Sequence, residues 1–312
     1  VVGRVSFFVN AGLKFITEIC KMRAFTELWD EIARERYGVV DAKNRMFRYG
    51  VQVNSLGLTE PQPENNVYRI LIAALGVTLS KNARCRALQL PAWNEALGLP
   101  RPWDQQWSLR MQQILAYETD LLEYADIFDG STEVKRKVQA LKEEARAELA
   151  GIDRMGGAIA SIDYMKRKLV ESNTDRLAAI ESGEQVVVGV NRWIETEASP
   201  LSGGEGAIQV IDPAVEAEQI ERLKAWRTAR DQKAVKAALA DLEGAAREGR
   251  NVMEPSIVCA KAGVTSGEWG GLLRQIFGEY RAPTGVSATA VHREGTALDA
   301  VRSSVAAISG KL

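Results

Sequence analysis

The sequence predicts an α/β fold in which three consecutive strand–helix units are followed by a mostly helical region. Three observations carry this expectation. Residues 4–10 alternate Arg4, Ser6 and Phe8 with Val5, Phe7 and Val9, the period of two that marks a strand. Two more strand-like runs, 46–53 and 85–90, each precede a segment whose apolar residues recur at helical spacing. From residue 132 onward helical stripes dominate. Strands alternating with long helices imply a parallel sheet with right-handed crossovers.

Taken in order, Gly12 opens a helix that ends near residue 37. Its stripe is Leu13, Ile16, Cys20, Met22, Phe25, Trp29 and Ile32, and Gly38 supplies the C-cap. The strand at 46–53 leads to a helix over 65–79 with Val67, Ile70, Leu71, Ala74 and Leu75 inward. The strand at 85–90 leads to a helix introduced by Pro100 and Pro102, with Trp103, Trp107, Met111, Ile114 and Leu115 on the face expected to join the core. A helix at 132–150 carries the stripe Val134, Val138, Leu141, Ala145, Leu149 and a supporting Glu133–Lys137 pair. Gly156-Gly157 breaks it before a helix at 158–181. Residues 186–190 read as a short buried strand and 198–206 as a loop. Helices follow at 214–230, 232–248, 254–262 and 266–278. Residues 282–297, rich in Gly, Ser, Thr and Ala, read as a linker to a helix at 298–309. The expected organisation is thus 1–125 for the strand–helix units, 126–281 for a helical extension, and 282–312 for a linker and terminal helix.

Composition excludes several function classes. The 312 residues carry 40 Lys and Arg against 41 Asp and Glu, a net charge of -1. No basic excess marks a nucleic-acid binder. No apolar run approaches the ~18–20 residues of a membrane span. Cys20, Cys85 and Cys259 are odd in number and far apart, which speaks against a disulfide framework or a zinc site and for a reducing cytoplasm. His292 is the only histidine, and a Ser-His-Asp triad, an HExxH site or a two-histidine iron site would each need histidine elsewhere in the sequence. Hard chemistry must come from carboxylates, a cofactor or residues outside the chain. No GxGxxG follows a strand, against a dinucleotide fold. A (β/α)8 barrel takes ~250 residues, so three units correspond to the C-terminal part of such a TIM barrel. The chain opens on Val1-Val2-Gly3-Arg4 directly at a strand, the expectation for a piece cut from a larger domain.

Each strand carries polar or small residues on one face: Arg4, Ser6 and Phe8; Arg48, Gly50 and Gln52; Cys85, Ala87 and Gln89. Barrel interiors are normally filled by bulky branched side chains, so this pattern reads either as a hollow lumen that holds a ligand or as a barrel rim against polar loops. The segment 52–66 follows a strand's C-terminal end, where barrel active sites are built. Its amides, Gln52, Asn54, Gln62, Asn65 and Asn66, suit a neutral polar ligand; the alternative is a capped loop with Asn65 as helix N-cap. Glu95, after the third strand, reads as a general base, a hydrogen-bond acceptor for a cofactor, or a surface carboxylate. Cys20 and Cys259 read as structural. The helices at 132–181 and 214–248, charged outside, read as a solvated layer or a partner surface.

At this point the residues resemble a known family. Gly3-Arg4-Val5-Ser6-Phe7-Phe8, Glu18-Ile19-Cys20-Lys21-Met22-Arg23-Ala24 and Leu28-Trp29 are similar to the adenosylcobalamin-dependent acyl-CoA mutases. Leu58-Thr59-Glu60, Asn65-Asn66, Asn94-Glu95-Ala96-Leu97-Gly98-Leu99-Pro100 and Val187-Val188-Gly189-Val190-Asn191 continue the match in order. Gln52-Val53-Asn54-Ser55-Leu56-Gly57-Leu58-Thr59-Glu60 and Arg101-Pro102-Trp103-Asp104-Gln105-Gln106-Trp107 resemble the branch acting on ethylmalonyl-CoA, since methylmalonyl-CoA enzymes tend to carry Gly-Trp where Ser55-Leu56 stands.

The resemblance implies an isomerase that shifts the thioester carbonyl group by a radical route, interconverting ethylmalonyl-CoA and methylsuccinyl-CoA, with adenosylcobalamin as cofactor. It implies acyl-CoA contacts at Arg4 and Ser6 and cobalamin contacts at Gln52, Ser55, Glu95 and Gly98; Ser55 and Gly98 depart from the methylmalonyl pattern. The family's radical-shielding Tyr and substrate-binding His and Arg would lie upstream of this chain. Its cobalt-ligating His would lie in a separate domain, toward which 282–312 would lead, so no metal ligand is expected here. The chain alone is expected to be inactive, its parent enzyme a homodimer or complex. The alternatives are a methylmalonyl-CoA mutase and a non-catalytic subunit that completes a barrel with a partner.

Overall fold

The computed structural model describes residues 1–199, 201, 208–284 and 304–305. The expected linker beyond 284, with His292, the expected terminal helix apart from residues 304–305, and most of the loop at 198–206 lie outside the described residues. Two compact units divide the chain. One comprises Val1–Leu149 with Val186–Tyr280, the other Ala150–Gln185 with Arg281–Leu312.

The first unit begins with three strands, β1 (Phe7–Ala11), β2 (Tyr49–Val53) and β3 (Ala87–Gln89), in one parallel sheet of order β1-β2-β3. Each is followed by a helix: α1 (Phe15–Glu35), then α3 (Asn65–Thr78) and α4 (Pro102–Tyr117); a one-turn helix α2 (Ala42–Arg45) precedes β2. The register pairs Val9 with Val51 and Val51 with Leu88. With a side-chain period of two, these residues share the helix-covered face. Ala11, Met22, Tyr49, Val51, Val77 and Ala83 form one buried cluster there, and Val53, Ile70, Ala73, Ala74, Leu90, Trp93 and Leu115 another. Each large apolar side chain removed from water contributes about 1.5–3 kcal/mol. Helix α1 also buries Cys20 and Ala24 against Val134 and Val138 of α5 (Thr132–Arg154). Gly76 lets α3 approach α1, since a Cβ there would meet the Phe15 backbone at 3.2 Å.

The strands are shorter than their sequence pattern. Residues Val2–Arg4 form a 3-10 turn and β1 starts at Phe7, so neither Arg4 nor Ser6 is on the strand. The cause is local: Arg48 donates to the Gly3 and Lys43 carbonyls, and β2 offers no ladder partner before Tyr49. The third strand shrinks to Ala87–Gln89 because the chain bends at Arg86. The run at 186–190 is no strand. Gly189 takes φ 79 and the Asn191 side chain accepts from Val187 N, which folds the run back into one isolated bridge, Val188 to Arg192. Glu133 pairs with Arg136 rather than Lys137. Trp103 and Trp107 remain 38% and 37% exposed, so they edge the core instead of filling it.

Later in the same unit, α8 (Gln232–Arg247), α9 (Met253–Ala262) and α10 (Ser266–Phe277) close a small core around Ala238, Leu242 and Cys259, while α7 (Pro213–Ala229) buries no residue and joins them through Trp226, which donates to the Gly263 carbonyl at 3.1 Å. Glu268 caps α10 through Thr265 and pairs with Arg230 at 2.5 Å; Arg230 also donates to the Gly263 carbonyl. In the second unit, Gly156 and Gly157, at φ 98 and 92, turn the chain into α6 (Ile162–Glu181). No helix among the described residues is long and apolar enough to cross a membrane.

Candidate functional site

Among the described residues, no helix covers the sheet's second face, on which Phe8, Asn10, Ala87 and Gln89 are exposed. Its rows follow from the register: Phe8, Gly50 and Ala87 in one, Asn10, Gln52 and Gln89 in the next. Phe8 is 59% exposed, its ring lying over Gly50, where a Cβ would meet it at 2.7 Å. The amide row stands at the C-terminal ends of the strands. Lys21 donates to the Asn10 carbonyl at 2.7 Å and pairs with Glu18 at 2.5 Å. Glu18, buried in the first turn of α1 beside Gly12, is a carboxylate that the sequence reading did not single out. Its signal was an acid in the first turn of the helix that follows β1.

The loop after β2 is held from within. Asn54 accepts from Leu56 N at 2.8 Å and tightens a 3-10 turn, Ser55–Gly57, that leaves Ser55 half-buried. Fully buried Asn66 donates to the Thr59 and Trp93 carbonyls, both at 2.9 Å, and accepts from Thr59 N and Arg69. One side chain thereby joins the loop after β2 to the loop after β3. Arg69 adds bonds to Thr59 Oγ1 at 2.7 Å and to the Val188 carbonyl at 2.8 Å, and burial lowers its pKa. Gln62, at φ 48, donates to the Trp193 carbonyl. The 186–190 run is thus a strap against this loop. Asn65 is not the N-cap: Glu64 takes that place, and Asn65 donates to Gln62 Oε1. Of the amides in 52–66, Gln52 alone belongs to the open face; the other four brace the loop.

The loop after β3 is organised by Asp104, fully buried in the first turn of α4. Its carboxylate accepts from Trp93 Nε1 at 3.1 Å, Asn94 Nδ2 at 2.8 Å, and the Arg101 backbone and guanidinium. Burial alone would raise its pKa; the Arg101 bonds and charge, with Asn94, hold it below the usual carboxylate range. Glu95 projects from this loop exposed to solvent. Gly98 takes φ 147 with Ile208 so close that a Cβ would lie 2.8 Å from it.

The six expected residues therefore fall into two sets. Gln52, Ser55, Glu95 and Gly98 gather at or after the C-terminal ends of β2 and β3, whereas Arg4 and Ser6 precede β1 at the opposite edge. The strands separate these edges by roughly 16 Å. Neutral amide and hydroxyl groups at the first edge suit a large polar ligand rich in amides. No histidine occurs among the described residues, and no acid, Cys or His cluster there could hold a metal ion.

Residues 1–279 match the family described as Methylmalonyl-CoA mutase. The chain belongs to this mutase family. It is 66% identical, over all 312 residues, to an ethylmalonyl-CoA mutase of Cereibacter sphaeroides, covering 100% of this chain and 48% of that protein. It is 67% identical over 302 residues to an ethylmalonyl-CoA mutase of Methylorubrum extorquens, covering 96% of this chain and 44% of that protein. A methylmalonyl-CoA mutase of Cereibacter sphaeroides is 33% identical over 90% of this chain and 39% of its own length. The chain spans about half the length of the curated relatives it matches most fully.

Proposed function

We propose that this chain is the C-terminal part of the TIM barrel, with the helical connector, of an adenosylcobalamin-dependent isomerase that converts ethylmalonyl-CoA to methylsuccinyl-CoA. The observation that carries the reading is the identity of 66% and 67% to two ethylmalonyl-CoA mutases, against 33% to a methylmalonyl-CoA mutase from one of the same organisms. The methylmalonyl-CoA reading is correspondingly weaker. Three parallel strand–helix units with an uncovered polar face support a barrel segment whose lumen admits a ligand.

On this reading residues 1–125 supply barrel units, 126–281 the extension, and 282–312 the path toward a cobalamin-binding domain. Arg4 and Ser6 hold the acyl-CoA from the N-terminal edge. Gln52 and Ser55 offer hydrogen-bonding groups to the cofactor's amides, Glu95 accepts from them, and Gly98 leaves room for close approach of the chain. When bound, adenosylcobalamin supplies the organic radical that initiates the 1,2-shift of the thioester group. The chain's own part is to orient substrate and cofactor and to exclude water. The working enzyme is a cytoplasmic homodimer or complex.

The test is an assay of the native polypeptide carrying these residues, supplied with adenosylcobalamin and each CoA ester in turn. Faster turnover of ethylmalonyl-CoA is expected; a preference for methylmalonyl-CoA, or no turnover of either, would overturn the reading.

A further inference from the structure

The chain between β3 and α4 carries both Glu95 and Gly98, and the start of α4 grips it at successive points. Gln105 donates to the Leu90 carbonyl at 3.4 Å and Ser108 to the Pro91 carbonyl at 2.6 Å. Asp104 accepts from Trp93 Nε1 and Asn94 Nδ2 on one side of Glu95, and from the Arg101 backbone on the other. The Arg101 guanidinium reaches both carboxylate oxygens, Nε at 2.8 Å and a terminal nitrogen at 3.0 Å. The loop is thus tied across its base, with Glu95 exposed directly beyond the last tied residue, fully buried Asn94. A helix start does not require this arrangement, since a neutral side chain at the N-cap satisfies it without burying a charge. Here a carboxylate is fully buried instead, at a desolvation cost that an ion pair often only matches. Its partners, the Trp93 indole, the Asn94 amide and Arg101, are all donors, and an ionised carboxylate is the acceptor-only group that serves them together. What such a group secures is one geometry of the loop.

We propose that Asp104 is a positioning residue for the cofactor: by closing the loop between Asn94 and Arg101, it fixes where the Glu95 carboxylate meets an amide of adenosylcobalamin. The inference rests on the cofactor reading of Glu95. The backbone on either side of Glu95 loses its freedom when the chain folds, so that ordering cost is absent from the binding step. Releasing Asp104 returns the cost to cofactor binding. It leaves Arg4 and Ser6, at the opposite edge of the sheet, untouched.

The test is calorimetric titration of the native polypeptide carrying these residues, freed of cofactor, with adenosylcobalamin and separately with ethylmalonyl-CoA. The wild type is compared with D104N, E95A and D104N/E95A. N94A, which cuts the tie beside Glu95 and keeps the Asp104–Arg101 pair, stands in if thermal melts show D104N unfolded. Adenosylcobalamin affinity is expected to fall roughly tenfold, about 1.4 kcal/mol, in D104N and in the same direction in N94A. Ethylmalonyl-CoA affinity is expected to stay within about twofold of the wild type. In D104N/E95A the loss should not exceed that of the larger single variant, because both changes remove one contact. If folded D104N, or N94A in its place, binds adenosylcobalamin like the wild type while E95A does not, the positioning role falls and the reading of Glu95 stands. If E95A binds it like the wild type, both fall. Losses that multiply in the double variant would show Asp104 acting on the cofactor without Glu95, and an equal loss of ethylmalonyl-CoA affinity would show a merely structural role; either overturns the proposal.

Discussion

Gly50 and Asn66 show how single residues set the two faces of the sheet. Gly50 is required because the Phe8 ring occupies the space of its missing side chain. Gly50→Val is therefore expected to destabilise the chain by about 1–3 kcal/mol, measured by denaturant unfolding. Most of that loss should disappear in a Phe8→Ala background, because the two changes share one contact; full additivity would show that the ring is not the obstacle. Asn66→Ala leaves Thr59 and Trp93 backbone groups without partners in a buried site, an expected cost of about 1–3 kcal/mol or more. Hydrogen exchange should then accelerate at Thr59, and unchanged protection there would contradict the bridge between the loops. Asn66 was visible in the sequence as one of five clustered amides, but its role was not. A side chain's choice between ligand and backbone depends on chain returning from far away, here Thr59 and Trp93, and spacing does not encode that return.

Elements were more legible than their ends. The helices over 65–78, 213–229, 232–247 and 266–277 lie within one or two residues of their predicted spans because apolar periodicity and capping residues act locally. The strands shortened because a ladder needs a partner in register, which the sequence of one strand cannot report. The run 186–190 misled for a related reason: its valines have strand character, but Gly189 and Asn191 turn it. At the same scale, Glu268 makes α10 sensitive to acid. Its carboxyl, bound by Arg230 and Thr265, is held well below the ordinary carboxylate range despite partial burial. A carboxyl depressed by folding contributes stability that is fully present above its unfolded pKa, ~4.3, and is lost as pH falls toward the folded value. The wild type should therefore exceed Glu268→Gln in unfolding midpoint at pH 7, and the gap should narrow below about pH 4. A gap that persists undiminished in acid would show that Glu268 acts through packing and not through charge.

For the whole molecule, the parallel sheet gives every strand–helix unit the same polarity, so one edge collects strand starts and the other the loops that follow strand ends. Balanced charge, few cysteines and one histidine already excluded most chemistries from sequence, and the family motifs were legible because they are long and ordered. The separation of Arg4 and Ser6 from Gln52, Ser55, Glu95 and Gly98 became visible only once the strands were paired. The chain by itself is expected to show no turnover of ethylmalonyl-CoA with added adenosylcobalamin, since it spans 48% of its relative from Cereibacter sphaeroides; activity of the purified 312-residue chain would refute that expectation.

The measurement that reaches the central claim most directly is a crystal structure of the native polypeptide containing this chain, bound to both CoA and adenosylcobalamin. The coenzyme's phosphates are expected at the edge bearing Arg4 and Ser6, and the cofactor against Gln52, Ser55, Glu95 and Gly98 at the other. Both groups at one edge, or the two exchanged, would contradict it.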